Sequence, residues 1–262
     1  MKKAFSKIYI IIVMLFLYLP ILTLVVLSFN ESKSMAVFTH FSLKWYREML
    51  SNRLMVGAIL NTFSIAFLAA TIATVIGTLA CIGISAMKRR SQLVLLGFNN
   101  IPMLNADIVT GIALMLSFLI FGISLGFATV ILAHITFSIP YVILSVRPRM
   151  NEKTTSLFEA AQDLGASKMY AFRKIVVPEL APGISSGFLL SFTMSVDDFI
   201  ITHFTRGAGI NTISTLIYSQ VKVGIRPSLF ALSTVIFGVA LVALLIINRQ
   251  MADDSETEAV AL

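Results

Sequence analysis

Three carboxylates stand in apolar surroundings: Asp107 and the adjacent pair Asp197 and Asp198. A charged side chain at the centre of a bilayer costs about 2.5–3.5 kcal/mol on insertion scales, so it marks a functional site by default. Neighbouring residues on a helix point about 100° apart. One of the pair can therefore face a pathway while the other faces a neighbouring helix. Ionised together they repel, and a passing cation relieves the repulsion. None of the 20 Lys and Arg residues falls in the same apolar stretches. A path for anions would use fixed positive groups or helix N-termini. Carboxylates beside aromatics such as Trp45, Tyr141 or Phe199 suit a cation carrying several ammonium groups on an apolar stem, through ion pairing and cation–π contact. A purely structural role for the pair, hydrogen-bonded to Ser195, Thr202 or a neighbouring subunit, is the competing reading.

Other chemistries find little support. The chain has no G-x4-G-K-[ST], HExxH, GxSxG or CxxC motif, and one cysteine, Cys81. His134 reads as a hydrogen-bonding residue between helices, and neither it nor His203 has a metal-ligand neighbour at useful spacing. Adjacent aspartates cannot form an aspartyl dyad, which takes two separate elements. Asp107 with Asp198 keeps that possibility open. The expectation is a chain that catalyses no reaction and holds no cofactor or metal of its own.

The elements that position these residues follow from composition. The chain has 262 residues, 57% hydrophobic and 13% charged, with a mean hydropathy of +0.90. A soluble domain is nearer 25% charged, and disorder needs low hydrophobicity. Both are excluded. The net charge of +7 fits basic loops at a membrane surface rather than nucleic acid. A spanning helix needs roughly 20 apolar residues. Six stretches approach this: about Ile8–Phe29, Gly57–Met87, Leu93–Ile120, Leu125–Val146, Gly183–Phe204 and Ser228–Asn248. The fold class expected is all-α, a polytopic membrane protein of six spans in one domain, 1–262. The first stretch has a basic start but no small-residue cleavage site, and reads as a retained anchor. Thirteen Lys and Arg fall on the side of Lys2, Arg89 and Arg147, against seven on the side of Arg47 and Arg206. The richer side is cytoplasmic by the positive-inside rule, which puts both termini inside.

The connection 147–182 is long yet carries helical signals. Ser156 to Glu159 fits a capping box, and Leu157, Phe158, Ala161 and Leu164 recur at helical spacing. Gly165 reads as a turn, and a second helix is expected from Ser167 to Val176, ended by Pro178. Phe158, Met169, Tyr170 and Phe172 among charges suggest docking to a partner protein.

Glu159-Ala160-Ala161, Gly165 and Ile175-Val176-Val177-Pro178 stand at the spacing EAA-x3-G-x9-I-x-L-P, with Val177 where Leu is usual. This pattern resembles the EAA loop of ABC importer permeases. Ser42 to Tyr46, His134 to Phe137 and Ser191 to Asp198 resemble the spermidine/putrescine branch of that family. The resemblance implies a six-helix type I importer permease fold in a bacterial cytoplasmic (inner) membrane. It also implies a coupling role for Glu159, Ala160, Ala161, Gly165, Ile175 and Pro178. The partners implied are a second permease, two ATP-binding subunits that hold ATP and Mg, and an external polyamine-binding protein. The matching segment makes Trp45 an external-gate or substrate contact, against a plain interfacial role from its residue type. The competing functions are an importer permease for another solute, such as a metal or an amino-acid-like compound, and an intramembrane enzyme or channel.

Overall fold

A computed structural model gives the fold and describes residues 2–34, 37–150, 152–239 and 241. Among these residues the chain is almost entirely helical, and one antiparallel bridge, Asn30 to Phe41, is its only β pairing. It divides into two compact units, one of Met1–Val56 with Ile217–Leu262, the other of Gly57–Leu216.

In the first unit, α1 (Lys2–Ser28) is long enough to cross a bilayer, and its apolar residues from Ile8 to Tyr18 are all exposed within the chain. Its aliphatic faces therefore suit lipid or another subunit. The segment after it is tied down locally. The Asn30 side chain donates to the Val37 carbonyl (2.8 Å) and accepts from the Thr39 amide (3.0 Å). The rings of Phe29 and Phe41 stack at 5.1 Å. The short helix α2 (Lys44–Ser51) closes this segment with Trp45, Met49 and Tyr46.

The second unit contains α3 (Arg53–Ser85, which begins in the first unit), α4 (Arg89–Leu104), α5 (Asp107–Ile120), α6 (Phe127–Val146), α7 (Glu152–Asp163), α8 (Lys168–Ala171), α9 (Val177–Asp197), α10 (Ile200–Thr205) and the start of α11 (Ile213–Val223). At about 1.5 Å per residue, the 33 residues of α3 exceed a hydrocarbon core about 30 Å thick. The centre of the unit is an antiparallel pair, α6 and α9. Small residues let their backbones meet. A Cβ on Gly183 would lie 3.0 Å from the Ser145 carbonyl oxygen, and one on Gly187 3.3 Å from the Val142 Cα. Around this seam Ala69, Ala73, Val142, Val146, Val176 and Leu180 form a buried core.

Several sequence expectations meet corrections here. The stretch Leu93–Ile120 is not one helix: α4 and α5 meet at an angle of 105°. Asn105 and Ala106 are extended (ψ 149° and 135°), which breaks the helix there. The stretch Gly183–Phe204 is interrupted too. Helix α9 ends at Asp197, and Asp198 is extended (ψ 126°) before α10 starts. Ser156 is not a cap. The chain is already helical from Glu152, so Ser156 lies inside α7. Pro178 does not end its helix. A wide π-turn over Phe172–Val176 precedes it, and the helix runs unbroken from Lys168 to Asp197. The expanded turn accommodates the ring and the missing N–H, which would clash in a regular α-helix. The last apolar stretch appears as α12 (Ser228–Val239). Its expected continuation to Asn248, Arg249 and the acidic tail from Asp253 lie outside the described residues.

Candidate substrate pathway and coupling hairpin

Helices α5, α6, α9 and α10 enclose a cavity of about 370 Å³ whose charged lining groups are Asp107, Asp197 and Asp198, with no Lys or Arg. Tyr141, Phe137 and Phe199 supply aromatic wall. The sequence-expected residues Asp107, Tyr141, Asp197 and Asp198 are thus brought together across about 90 positions of chain.

The three carboxylates differ in electrostatic setting. Asp107 is the first residue of α5, where the helix dipole favours a negative charge. Asp198 precedes α10 and caps it. Its Oδ1 accepts from the Ile201 amide (3.1 Å), and its Oδ2 accepts from the Thr202 amide (2.7 Å) and the Thr202 hydroxyl (2.8 Å). His134 Nε2 lies 3.4 Å from the same Oδ2, and the Asp198 side chain is only 9% exposed. Asp197 is the last residue of α9, at the negative end of a 21-residue helix, and its side chain is exposed. It has neither a favourable dipole nor a cap.

His134 is fully buried and also bonds through Nδ1 to the Ser195 hydroxyl at 2.6 Å. Ser195, His134 and Asp198 thus form the chain of contacts that a hydrolase triad would use. Ser195 is buried and does not line the cavity, so its hydroxyl cannot meet a substrate there. The oxygens of Asp198 already accept three donors, which leaves it unsuited to share a proton with Asp107.

Trp45 is not among the cavity-lining residues. It is 2% exposed and donates its indole N–H to the Asn30 carbonyl at 2.6 Å. That bond closes the 30–41 segment and commits both the ring and its polar atom. Lining residues not singled out as site candidates in the sequence include Thr110, Phe137 and Met194. Spacing is the signal that could have found them. Thr110 follows Asp107 by three, Phe137 precedes Tyr141 by four and Met194 precedes Asp197 by three. Among the described residues, no group of three His, Cys, Asp or Glu side chains is arranged to hold a metal.

The second candidate site is the 147–182 connection, which is a helical hairpin. Helix α7 ends in a Schellman turn. The Ala166 amide bonds the Ala161 carbonyl (3.0 Å) and the Gly165 amide bonds Gln162 (2.9 Å), with Gly165 at φ +86°. Ser167 then caps α8, accepting from the Tyr170 amide. Glu159 and Ala160 are exposed, Ala161 and Ile175 are half-buried, and Pro178 is exposed. Of the four apolar residues expected on the outer face, Met169 (66%) and Tyr170 (60%) are exposed, joined by Leu164 (90%). Phe158 and Phe172 instead turn inward and pack on the α6–α9 core. The hairpin is therefore seated on the helix that ends at Asp197.

Comparison with known proteins bears on the family and the fold. The family model described as binding-protein-dependent transport system inner membrane component matches residues 1–252. The chain is 37% identical over 238 residues to the spermidine/putrescine transport system permease protein PotC of Haemophilus influenzae, covering 91% of this chain and 92% of that one. It is 37% identical over 230 residues to the putrescine transport system permease protein PotI of Escherichia coli, covering 85% and 82%. Its fold matches a chain of a bacterial ABC transporter that imports the acidic polysaccharide alginate, with TM-score 0.74, 13% identity and 95% of each chain covered. A chain of the MetNI methionine ABC transporter matches with TM-score 0.57 and 20% identity, over 79% of this chain and 96% of that one. The hydrophobic helices, the hairpin and these matches lead to one assignment: the chain belongs to the binding-protein-dependent ABC importer permeases, multi-pass proteins of the inner membrane.

Proposed function

We propose that the chain is one of two permease subunits of an ATP-driven importer of polyamines, spermidine or putrescine. The observation that carries the reading is the cavity in which every charged lining group is a carboxylate. A polyamine presents ammonium groups on an apolar stem. Asp197 attracts one of them, Asp107 a second, and Tyr141, Phe137 and Phe199 flank the stem. The names of the PotC and PotI relatives support the same substrate class. Asp198 acts at one remove, by fixing the chain break beside Asp197. Trp45 holds the external segment together rather than touching cargo.

The hairpin couples this path to ATP. Its residues Glu159, Ala160, Ala161 and Gly165 seat on an ATP-binding partner subunit, and Ile175 and Pro178 join the hairpin to α9. Two such subunits hold ATP and Mg. When they close, the hairpins move with them, and the helices rock to open the carboxylate cavity toward an external polyamine-binding protein. Hydrolysis resets the path inward. The chain itself catalyses nothing, and both termini face the cytoplasm.

The test is ATP-driven uptake of labelled polyamine by the reconstituted complex, with and without the binding protein. Uptake should be blocked by unlabelled spermidine or putrescine and not by amino acids or divalent metals. Competition by an amino acid or a metal, with no polyamine uptake, would refute the substrate assignment.

A further inference from the structure

We propose that His134 is a positioning residue for cargo passage: as the neutral Nε2–H tautomer it clamps the break between α9 and α10 and so sets the aim of Asp197. This deepens the reading of the cavity as the polyamine path and rests on it.

The tautomer follows from counting hydrogens. The Thr202 hydroxyl has one hydrogen, and an ionised Asp198 can only accept, so Thr202 gives that hydrogen to Oδ2 at 2.8 Å. Toward His134 the Thr202 oxygen can then only accept. His134 Nε2, 2.9 Å away, must carry the proton. A neutral imidazole leaves Nδ1 as an acceptor, which the Ser195 hydroxyl fills at 2.6 Å. In the neutral imidazole this arrangement matches every donor and acceptor along Ser195, His134, Thr202 and Asp198. The reverse tautomer would set Nε2, a bare acceptor, against an Asp198 oxygen at 3.4 Å.

The mechanical consequence comes from where the partners sit. Ser195 is in the last turn of α9, Thr202 is in α10, and His134 reaches both from α6. Helix α10 has six residues, too few to hold its own geometry. Asp197 lies two residues beyond Ser195 and next to Asp198. With the imidazole in place, Asp198 is folded back over α10 and Asp197 is presented to the cavity. Without it, Asp198 keeps its bonds to α10, but α10 loses its tie to α6 and α9, and the spacing of Asp197 to Asp107 is no longer fixed.

The experiment compares His134→Leu and His134→Gln with wild type in the reconstituted complex. Leu fills space without donating, whereas the Gln amide can still donate toward Thr202. Apparent KM for spermidine should rise on the order of tenfold in His134→Leu, matching loss of a bond in a charged network. His134→Gln should recover most of the loss. Wild-type uptake by the Leu variant, or a Gln variant no better than the Leu variant, overturns the proposal. A second measurement is independent of assembly of the variants. Nitrogen-15 NMR of the wild-type complex, with labelled histidine in this subunit alone, should give one buried imidazole protonated at Nε2 and bare at Nδ1. Protonation at Nδ1 overturns the clamp. If the wild-type complex takes up no polyamine, the substrate assignment fails, and the NMR result still decides the clamp.

Discussion

Asp197 and Asp198 are chemically identical neighbours, yet the structure gives them opposite sensitivities. Replacing Asp198 with Ala removes the cap on α10, worth about 0.5–2 kcal/mol. It also strands the buried Thr202 hydroxyl and weakens the His134 contact, costing about 1–3 kcal/mol for unsatisfied groups. These contributions overlap, so a total of about 2–4 kcal/mol is expected. At about 2–4 °C per kcal/mol for a chain of this size, the melting temperature should fall by roughly 5–15 °C. Asp197→Ala removes an exposed side chain at the negative end of α9. Its effect on stability should stay within about 0.5 kcal/mol, or even be a small gain through the dipole. Its effect on transport is the larger one. Loss of a charge-assisted contact to an ammonium group, about 1.5–3 kcal/mol, corresponds to roughly a tenfold to hundredfold loss of uptake at low substrate. Both quantities can be measured on the same purified complexes, by thermal melting and by reconstituted uptake. Equal destabilisation by the two substitutions, or wild-type uptake by Asp197→Ala, would refute the division of roles.

Three further perturbations test other parts of the structure. Trp45→Phe keeps one aromatic ring but removes the indole N–H bonded to the Asn30 carbonyl and part of the buried volume; it should lower stability by at least about 1–2 kcal/mol and speed proteolysis near residue 37, whereas loss of uptake at unchanged stability would restore Trp45 as a cargo contact. Gly165→Asp places a side chain at φ +86°, a conformation costing about 1–2 kcal/mol, and Glu159→Ala removes an exposed carboxylate from the hairpin; each should leave the subunit inserted and separate ATP hydrolysis from uptake, and normal coupling in both would remove the hairpin from the mechanism. Along the α6–α9 seam, the Ser191 hydroxyl is buried with no hydrogen-bond partner among the described residues. Ser191→Ala should therefore melt at or slightly above the wild-type temperature, while Gly187→Leu, whose Cβ would press on the Val142 backbone, should prevent assembly; the opposite order would disprove close packing at this seam.

What was legible in the sequence was what depends on residue type summed over a window. Apolar stretches long enough to span, the hairpin between residues 147 and 182, and the carboxylates set against an absence of internal Lys and Arg all belong to this kind. What was not legible depends on which of two local hydrogen-bonding schemes prevails. The run Gly183–Phe204 is apolar enough for one helix, and the backbone leaves it because the Asp198 carboxylate captures the amides of Ile201 and Thr202. Hydropathy carries no trace of that exchange. Ser156 fitted a capping pattern but lost to a helix that starts at Glu152. Pro178 read as a terminator because an α-helix cannot hold it, and the chain adopts a π-turn instead. Trp45 was ambiguous in sequence since an indole serves equally at an interface, in a gate or in a small core. The 2.6 Å bond to the Asn30 carbonyl supports the last of these.

The two candidate sites are linked by a single piece of secondary structure. From Lys168 in the hairpin to Asp197 at the cavity the chain is one helix of 30 residues, about 45 Å long at 1.5 Å per residue. A helix of that length moves as a rod unless something softens it, and two features bear on this. The π-turn over Phe172–Val176 weakens the rod next to the hairpin, but Phe172 and Val176 pack on the core at that turn and limit its bending. At the other end the rod stops abruptly at Asp197, where the Asp198 cap and the His134 bonds fasten it to α10 and α6. A displacement at the hairpin is therefore carried along one continuous helix toward the carboxylates, softened only at the π-turn and at Pro182. If the hairpin follows an ATP-driven partner, Asp197 must follow the hairpin, and its separation from Asp107 on α5 changes with it. Two negative charges whose spacing is altered by such a stroke hold a multivalent cation tightly in one state and weakly in the other, which is the differential affinity that a transport cycle needs.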